Sequence, residues 1–152
     1  MKSTPTRGVK QSLKPDAHKQ SEEVRIQMTE RGFEKLDVYR RTYVLALEVH
    51  KASLGFPWIE QFALADQMRR GSESICANLA EGFARQEGSE ADWRRFLAMA
   101  TGSADELQVW SAFARDLGYL DLDTAERWRA EYSEIARMLH GLGKAWRNRP
   151  RL

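Results

Sequence analysis

The chain has a single cysteine, Cys76, so no intrachain disulfide framework is available to it. It has no apolar run near the ~18 residues of a membrane span. The opening MKSTPTRGVKQSLKPDAHKQ is polar and lacks the apolar stretch of a secretory signal. These absences point to a soluble, cytoplasmic protein with no membrane partner. There are four prolines, at positions 5, 15, 57 and 150, which leaves the stretch from 58 to 149 free of helix breakers of that kind. β-branched residues are sparse and no useful strand-like alternation occurs, which argues against a sheet. There is no Gly-rich phosphate loop and no zinc-type cysteine spacing.

What is present is charge, 30% of the chain, and 42% hydrophobic residues in 152 positions, enough for one domain with a sizeable core. The formal net charge of +2 is unevenly spread. Residues 1–28 carry +3, residues 144–152 carry +4, and the body between them carries fourteen cations against nineteen acids. An acidic body with two basic ends results. Residues 1–28 read as an N-terminal arm, because Pro5, Gly8, Pro15 and few apolar residues cannot offset the entropy of ordering. Residues 29–147 read as the folded domain and 148–152 as a basic tail.

The apolar spacing of the body predicts four helices in an all-α, antiparallel up-down-up-down bundle. The first is expected from about Phe33 to Leu54, with Leu36, Tyr39, Tyr43, Leu47, His50 and Leu54 inward. Gly55 as a left-handed cap and Pro57 would end it. The second is expected from about Trp58 to Arg85, with Leu64, Met68, Gly71, Ile75, Leu79 and either Gly82 or Phe83 inward. The third opens at Ser89 and closes at Gly118, with Trp93, Phe96, Ala100, Ser103, Leu107, Trp110, Ala114 and Leu117 as its stripe. The fourth is expected to be capped by Asp123 with Glu126 three residues on, its stripe running from Ala125 through Trp128, Tyr132, Ile135, Leu139 and Leu142 to Trp146. Gly102, Ser103 and Ala104 would let the third helix approach the second closely. Of the five tryptophans, Trp93, Trp128 and Trp146 fall on inner stripes, Trp58 at a helix start and Trp110 near an edge.

Sites for chemistry are scarce. No Glu precedes any of the three histidines by three residues, so the Glu-x-x-His ligand set of a di-iron bundle is missing. No Arg stands four to six residues before His18, His50 or His140 in the manner of a helical ribonuclease class. Cys76, between Ile75 and Ala77, reads as a buried structural thiol, and His50 as a hydrogen-bonded, semi-buried histidine. No metal, cofactor or catalytic residue is expected. The remaining candidates are cationic. Arg69, Arg70, Arg85, Arg94 and Arg95 lie on the second and third helices, and Lys144 and Arg147 on the fourth. Asp66–Arg70, Glu81–Arg85 and Glu90–Arg94 have the four-residue spacing of intrahelical pairs. Arg69 and Arg95 have no such acid, and guanidinium forks suit phosphate, so these seven are the candidate RNA- or DNA-binding residues.

Several motifs resemble those of the 23S ribosomal RNA intervening-sequence protein family: FEKLDVYRRTYVLALEVHKA, RRGSESICANLAEGFAR, FLAMATGSADELQ and DLGYLD, in that order. The family's Arg pair, Asn-x-Ala-Glu-Gly, Gly-Ser and Leu-Gly-Tyr fall on Arg69 and Arg70, on Asn78, Ala80, Glu81 and Gly82, on Gly102 and Ser103, and on Leu117, Gly118 and Tyr119. Cys76 stands where the family often has proline. The resemblance implies a four-helix bundle assembled as a ring-like homopentamer, with no catalytic residues. It extends to accessory variability-determinant proteins of diversity-generating retroelements, which implies nucleic acid and a reverse transcriptase, or another protein, as partner classes. Asn78, Glu81 and Ser103 would form a buried polar set that holds helix register. The expected function is a non-enzymatic, pentameric nucleic-acid-binding accessory factor. The alternative is a protein-interaction scaffold, which the acidic body favours.

Overall fold

A computed structural model describes residues 32–148. The arm expected over residues 1–28 and the tail cations Arg149 and Arg151 lie outside the described residues. Within them the order is a 3-10 turn at Gly32–Lys35, α1 (Asp37–Ser53), a second 3-10 turn at Trp58–Phe62, α2 (Leu64–Arg85), α3 (Glu90–Asp116) and α4 (Leu122–Arg147). No strand occurs among the described residues. The fold is an all-α four-helix bundle whose short connections force each helix antiparallel to the one before. α2, α3 and α4 pack most extensively, and α1 lies chiefly against α2.

The inner stripes of α2, α3 and α4 follow the heavy side chains. Met68, Ile75, Leu79, Trp93, Leu107, Trp128, Tyr132, Ile135 and Leu139 are all essentially inaccessible. Gly71 and Gly82 make room for α3: a Cβ on Gly71 would lie 3.3 Å from Leu107, and one on Gly82 would lie 2.8 Å from Phe96 Cβ. Gly102 does not serve that purpose. It is exposed, nothing lies within 4 Å of its would-be Cβ, and the close approach of α3 to α2 comes from α2's glycines instead.

α1 buries a different face from the one its spacing suggested. Val38, Tyr39, Thr42, Leu45, Ala46, Val49 and Ser53 are inward, while His50 and Leu54 are exposed. The stripe is rotated by about one residue, roughly 100°. Two small hydroxyl residues make this possible. Thr42 Oγ1 donates to Val38 O at 2.7 Å and Ser53 Oγ to His50 O at 2.8 Å, so both hydroxyl protons are satisfied on their own helix and the residues can be buried.

The ends of the helices depart from expectation in three places. Gly55 is not left-handed, since Gly118 (φ 77°) is the positive-φ residue among those described. The stretch from Trp58 is a 3-10 turn, and α2 begins only at Leu64, where Glu60 Oε2 accepts from the free Leu64 N–H at 3.2 Å. α4 is capped by Asp121 and not by Asp123: its carboxylate accepts from Thr124 N and Thr124 Oγ1, both at 2.8 Å. Gly118 turns the chain so that Tyr119 N and Leu120 N both close on Ala114 O, which starts α4 two residues early. Ser89 caps α3 as expected, accepting from Asp92 N at 3.1 Å.

Two ion pairs bridge the thinly packed seam between α1 and α4. Arg41 donates to both oxygens of Glu131 at 2.7 and 2.9 Å. Arg127 takes Glu48 in the same bidentate way, and Trp128 Nε1 donates to Glu48 Oε1 at 3.0 Å. Burial works against ionisation of Glu48, but hydrogen bonds from Arg127 and Trp128 together with the Arg127 charge outweigh it and hold its carboxyl below the usual range.

Candidate nucleic-acid interface

The antiparallel arrangement gives the bundle two unlike ends. One carries the α1–α2 connection and the α3–α4 turn, joined by Tyr119 O–H donating to Glu60 Oε1 at 3.0 Å and by the Phe56–Tyr119 ring contact at 5.5 Å. The other carries the α2–α3 turn and the C-terminus of α4, joined by Trp93 and Trp146 at 6.0 Å, edge to face. The candidate cations divide between these ends.

Arg69 and Arg70 sit at the first end, near the start of α2. Arg69 is part-buried and donates to Ser53 Oγ at 3.1 Å, Gln61 Oε1 at 3.1 Å and Gln61 O at 2.7 Å. Gln61 Nε2 in turn donates to the carbonyls of Ser53 and Phe56 at 2.9 and 3.0 Å. Arg69 is therefore a clamp on the α1–α2 connection, with its donors turned inward. Arg70 reaches Asp66 at 3.6 Å and is otherwise exposed.

Arg85, Arg94, Arg95, Lys144 and Arg147 come together at the second end. Arg85 and Arg95 lie over the Phe96 ring at 5.8 and 5.1 Å from its centre, a cation–π arrangement that holds guanidinium planes against an apolar surface. Arg85 also donates to Glu81 Oε1 at 2.6 Å, and Arg94 reaches Glu90 at 3.9 Å. Arg94, Lys144 and Arg147 line an open groove of about 510 Å³ between α3 and α4. His140 stands on the same rim, and Leu97 and Leu139 lie beneath. Gly143 packs beside Leu97 there: a Cβ on it would lie 3.4 Å from Leu97 Cδ1, an ordinary contact. Lys144 and Arg147 also occupy the last turn of α4, where cations favour the negative end of the helix. Arg95, Lys144 and Arg147 have no carboxylate within ion-pair distance among the described residues. Chemically, ammonium and guanidinium groups can neutralise phosphates, and an apolar floor can accept ring faces.

The expected polar set changes one member. Asn78 Nδ2 donates to Ser74 O at 2.8 Å and to Ser74 Oγ at 3.1 Å, and Ser103 Oγ meets Ser74 Oγ at 3.3 Å. Ser74 thus links Asn78 to Ser103 across α2 and α3. Glu81 stands outside this set, exposed and paired with Arg85, because a carboxylate with a solvent-side cation gains nothing from burial.

His50 is exposed and faces Glu73 Oε1 at 3.3 Å across α1 and α2, a pairing that sequence spacing did not suggest. Burial pushes the Cys76 thiol up to about 12, with the Glu73 charge adding to it, which keeps it protonated and weakly nucleophilic. Among the described residues no three histidine, cysteine or acidic side chains gather in a metal-binding group, and no helix is long and apolar enough to cross a membrane.

Comparison with known proteins bears on this arrangement. The family described as 23S rRNA-intervening sequence protein matches residues 34–141. Among solved structures, a protein of unknown function from the S23 ribosomal protein family of Bacteroides thetaiotaomicron VPI-5482 is 23% identical, with a TM-score of 0.63. The alignment covers 70% of this chain and 95% of that one, and at this identity it shows a shared fold. None of the curated proteins matches the chain.

Proposed function

The chain belongs to the 23S rRNA-intervening sequence protein family, and from that premise we propose that it is a non-enzymatic, homopentameric accessory protein that binds RNA or DNA through the basic end of its bundle. The observation that carries this reading is the convergence of Arg94, Arg95, Lys144 and Arg147, from two helices far apart in sequence, on one end of the molecule. In the sequence, Arg149 and Arg151 follow directly after these residues. The body is acidic overall, so the contact is local and does not come from the global field. Repetition of a modest patch in a ring supplies avidity that one copy lacks. Arg69, as a clamp, belongs to the scaffold and not to the binding surface.

Binding is tested by fluorescence anisotropy with labelled single- and double-stranded RNA and DNA. The expected result is binding at about 50 mM salt that weakens steeply as salt rises, because counterion release drives phosphate contacts. No binding at that salt refutes the proposal. Turnover of the nucleic acid by a purified, metal-supplemented sample refutes its non-enzymatic part.

A further inference from the structure

At the end opposite the Arg94–Lys144–Arg147 groove, two apolar surfaces have no partner among the described residues. The first is the 3-10 turn between α1 and α2. Trp58 is 80% exposed, Ile59 71% and Phe62 81%, with the Trp58 and Phe62 rings edge to face at 6.3 Å. The second is a groove of about 680 Å³ along the last turns of α3, lined by Val109, Phe113 and Leu117 at four-residue spacing. Its rim is polar, with Asp105, Asp116 and Arg129. The first surface projects and the second is concave.

The projecting turn is held out deliberately. Phe56 and Tyr119 already anchor the connection to the core, and the Arg69–Gln61–Ser53 hydrogen bonds fix its backbone. None of that requires tryptophan, isoleucine and phenylalanine on the outside. A rigid, preorganised apolar projection loses little conformational freedom when it docks.

We infer that Trp58, Ile59 and Phe62 of one copy of this chain seat in the Val109–Phe113–Leu117 groove of a second copy, head to tail. The areas support a second copy as occupant. Aromatic side chains carry about 150–250 Å², so the projection presents about 450 Å² and the groove about 300 Å². Their sum, about 750 Å², approaches the roughly 900 Å² apolar share of a standard 1,600 Å² interface. Each surface alone is within the ~300–600 Å² of the largest patch on a typical monomer, a size that often marks a functional contact. Unlike patches that pair head to tail make a heterologous contact, which closes into a ring when the rotation allows. This deepens the assembly part of the proposed function and rests on it, but not on nucleic-acid binding. It also leaves the basic end of every copy free.

The test is the mass of the full chain in solution, by light scattering and sedimentation. One variant removes the projection (Trp58→Ala with Phe62→Ser) and another blocks the groove (Phe113→Glu), with far-UV circular dichroism as the check on folding. All three positions are exposed, so both variants keep native helicity. The expected result is an oligomer for the unaltered chain, single copies for each variant, and a two-copy species when the variants are mixed, since the mixture retains one intact contact. An oligomer of unchanged mass in both variants overturns the inference while leaving the assembly reading in place. A single-copy unaltered chain overturns both. In that case a blue-shifted difference spectrum against Trp58→Phe assigns the projection to the chain's own residues 1–31, and a solvent-exposed one assigns it to a different protein.

Discussion

Gly82→Ala is expected to destabilise the chain even though alanine is the better helix former. The added methyl would lie 2.8 Å from Phe96 Cβ and 2.9 Å from Trp93 Cε3, and both residues are buried. Phe96 Cβ is fixed to its backbone, so relief requires α3 to move away from α2. Overpacking of this kind costs about 1–3 kcal/mol, and the rigid contact places this case near the upper value. The helix propensity of alanine returns about 1 kcal/mol. The net loss is about 2 kcal/mol, or roughly 6 °C in Tm at an unfolding entropy of about 2.1 cal/mol/K per residue. Gly102→Ala is the matched control. Its methyl would meet nothing within 4 Å, so the propensity term stands alone. It should stabilise by about 1 kcal/mol, roughly 3 °C. Both are read by far-UV circular dichroism melting at one chain concentration, because assembly makes Tm concentration-dependent. Equal or higher stability for Gly82→Ala would refute the close helix contact on which the packing of α2 and α3 rests.

Three further outcomes follow from the same contacts. Arg69→Met should lower stability by about 2–3 kcal/mol, since hydrogen bonds to a charged donor are worth about 1.5–3 kcal/mol and their loss strands the Gln61 carbonyl; urea unfolding measures it, and an unchanged midpoint contradicts the clamp. Glu48 has a folded-state pKa below its ordinary 4.5, so its contribution is complete above that value and is lost as pH falls through the folded-state one. The stability gap between the unaltered chain and Glu48→Gln should therefore be widest at neutral pH and shrink on acidification; a gap independent of pH argues against the Arg127–Glu48 pair. Cys76, with its thiol pushed up to about 12, should react with a thiol reagent at pH 8 far more slowly in the native chain than in urea; equal rates would show that the thiol is not enclosed.

How much of this was legible in the sequence depended on side-chain size. α2 and α4 place large apolar residues at regular spacing, so Met68, Ile75, Leu79, Trp128, Tyr132, Ile135 and Leu139 could be assigned to the core directly. α1 was misplaced because Thr42 and Ser53 are polar by composition yet bury their hydroxyls against their own helix, while Leu54 and His50 fit the period but face outward. The cations show a different limit. Arg69 and Arg70 adjoin Arg85 in the same helix, but fifteen residues of α-helix span about 22 Å, which places them at opposite ends. That arithmetic was available from the predicted helix bounds alone. The role of Arg69 was not, because its partner Gln61 lies on a connection that periodicity predicts to be helix. His140 stands four residues before Lys144 and seven before Arg147, so the rim of the groove was visible as a helical stripe. Ser74 carried no signal until α3 brought Ser103 to it.

The central claim is that the basic end of the bundle holds nucleic acid. Its most direct test is the salt dependence of binding for the unaltered chain, for a variant carrying Arg94→Glu, Arg95→Glu, Lys144→Glu and Arg147→Glu, and for Arg70→Glu at the far end. Each phosphate contact contributes a slope of about −0.9 on duplex DNA, or −0.7 on a single strand, in log K against log salt. The account predicts a steep slope for the unaltered chain and for Arg70→Glu, and loss of measurable binding in the fourfold variant at unchanged helicity and oligomer mass. Equal affinity and slope in the fourfold variant would contradict it.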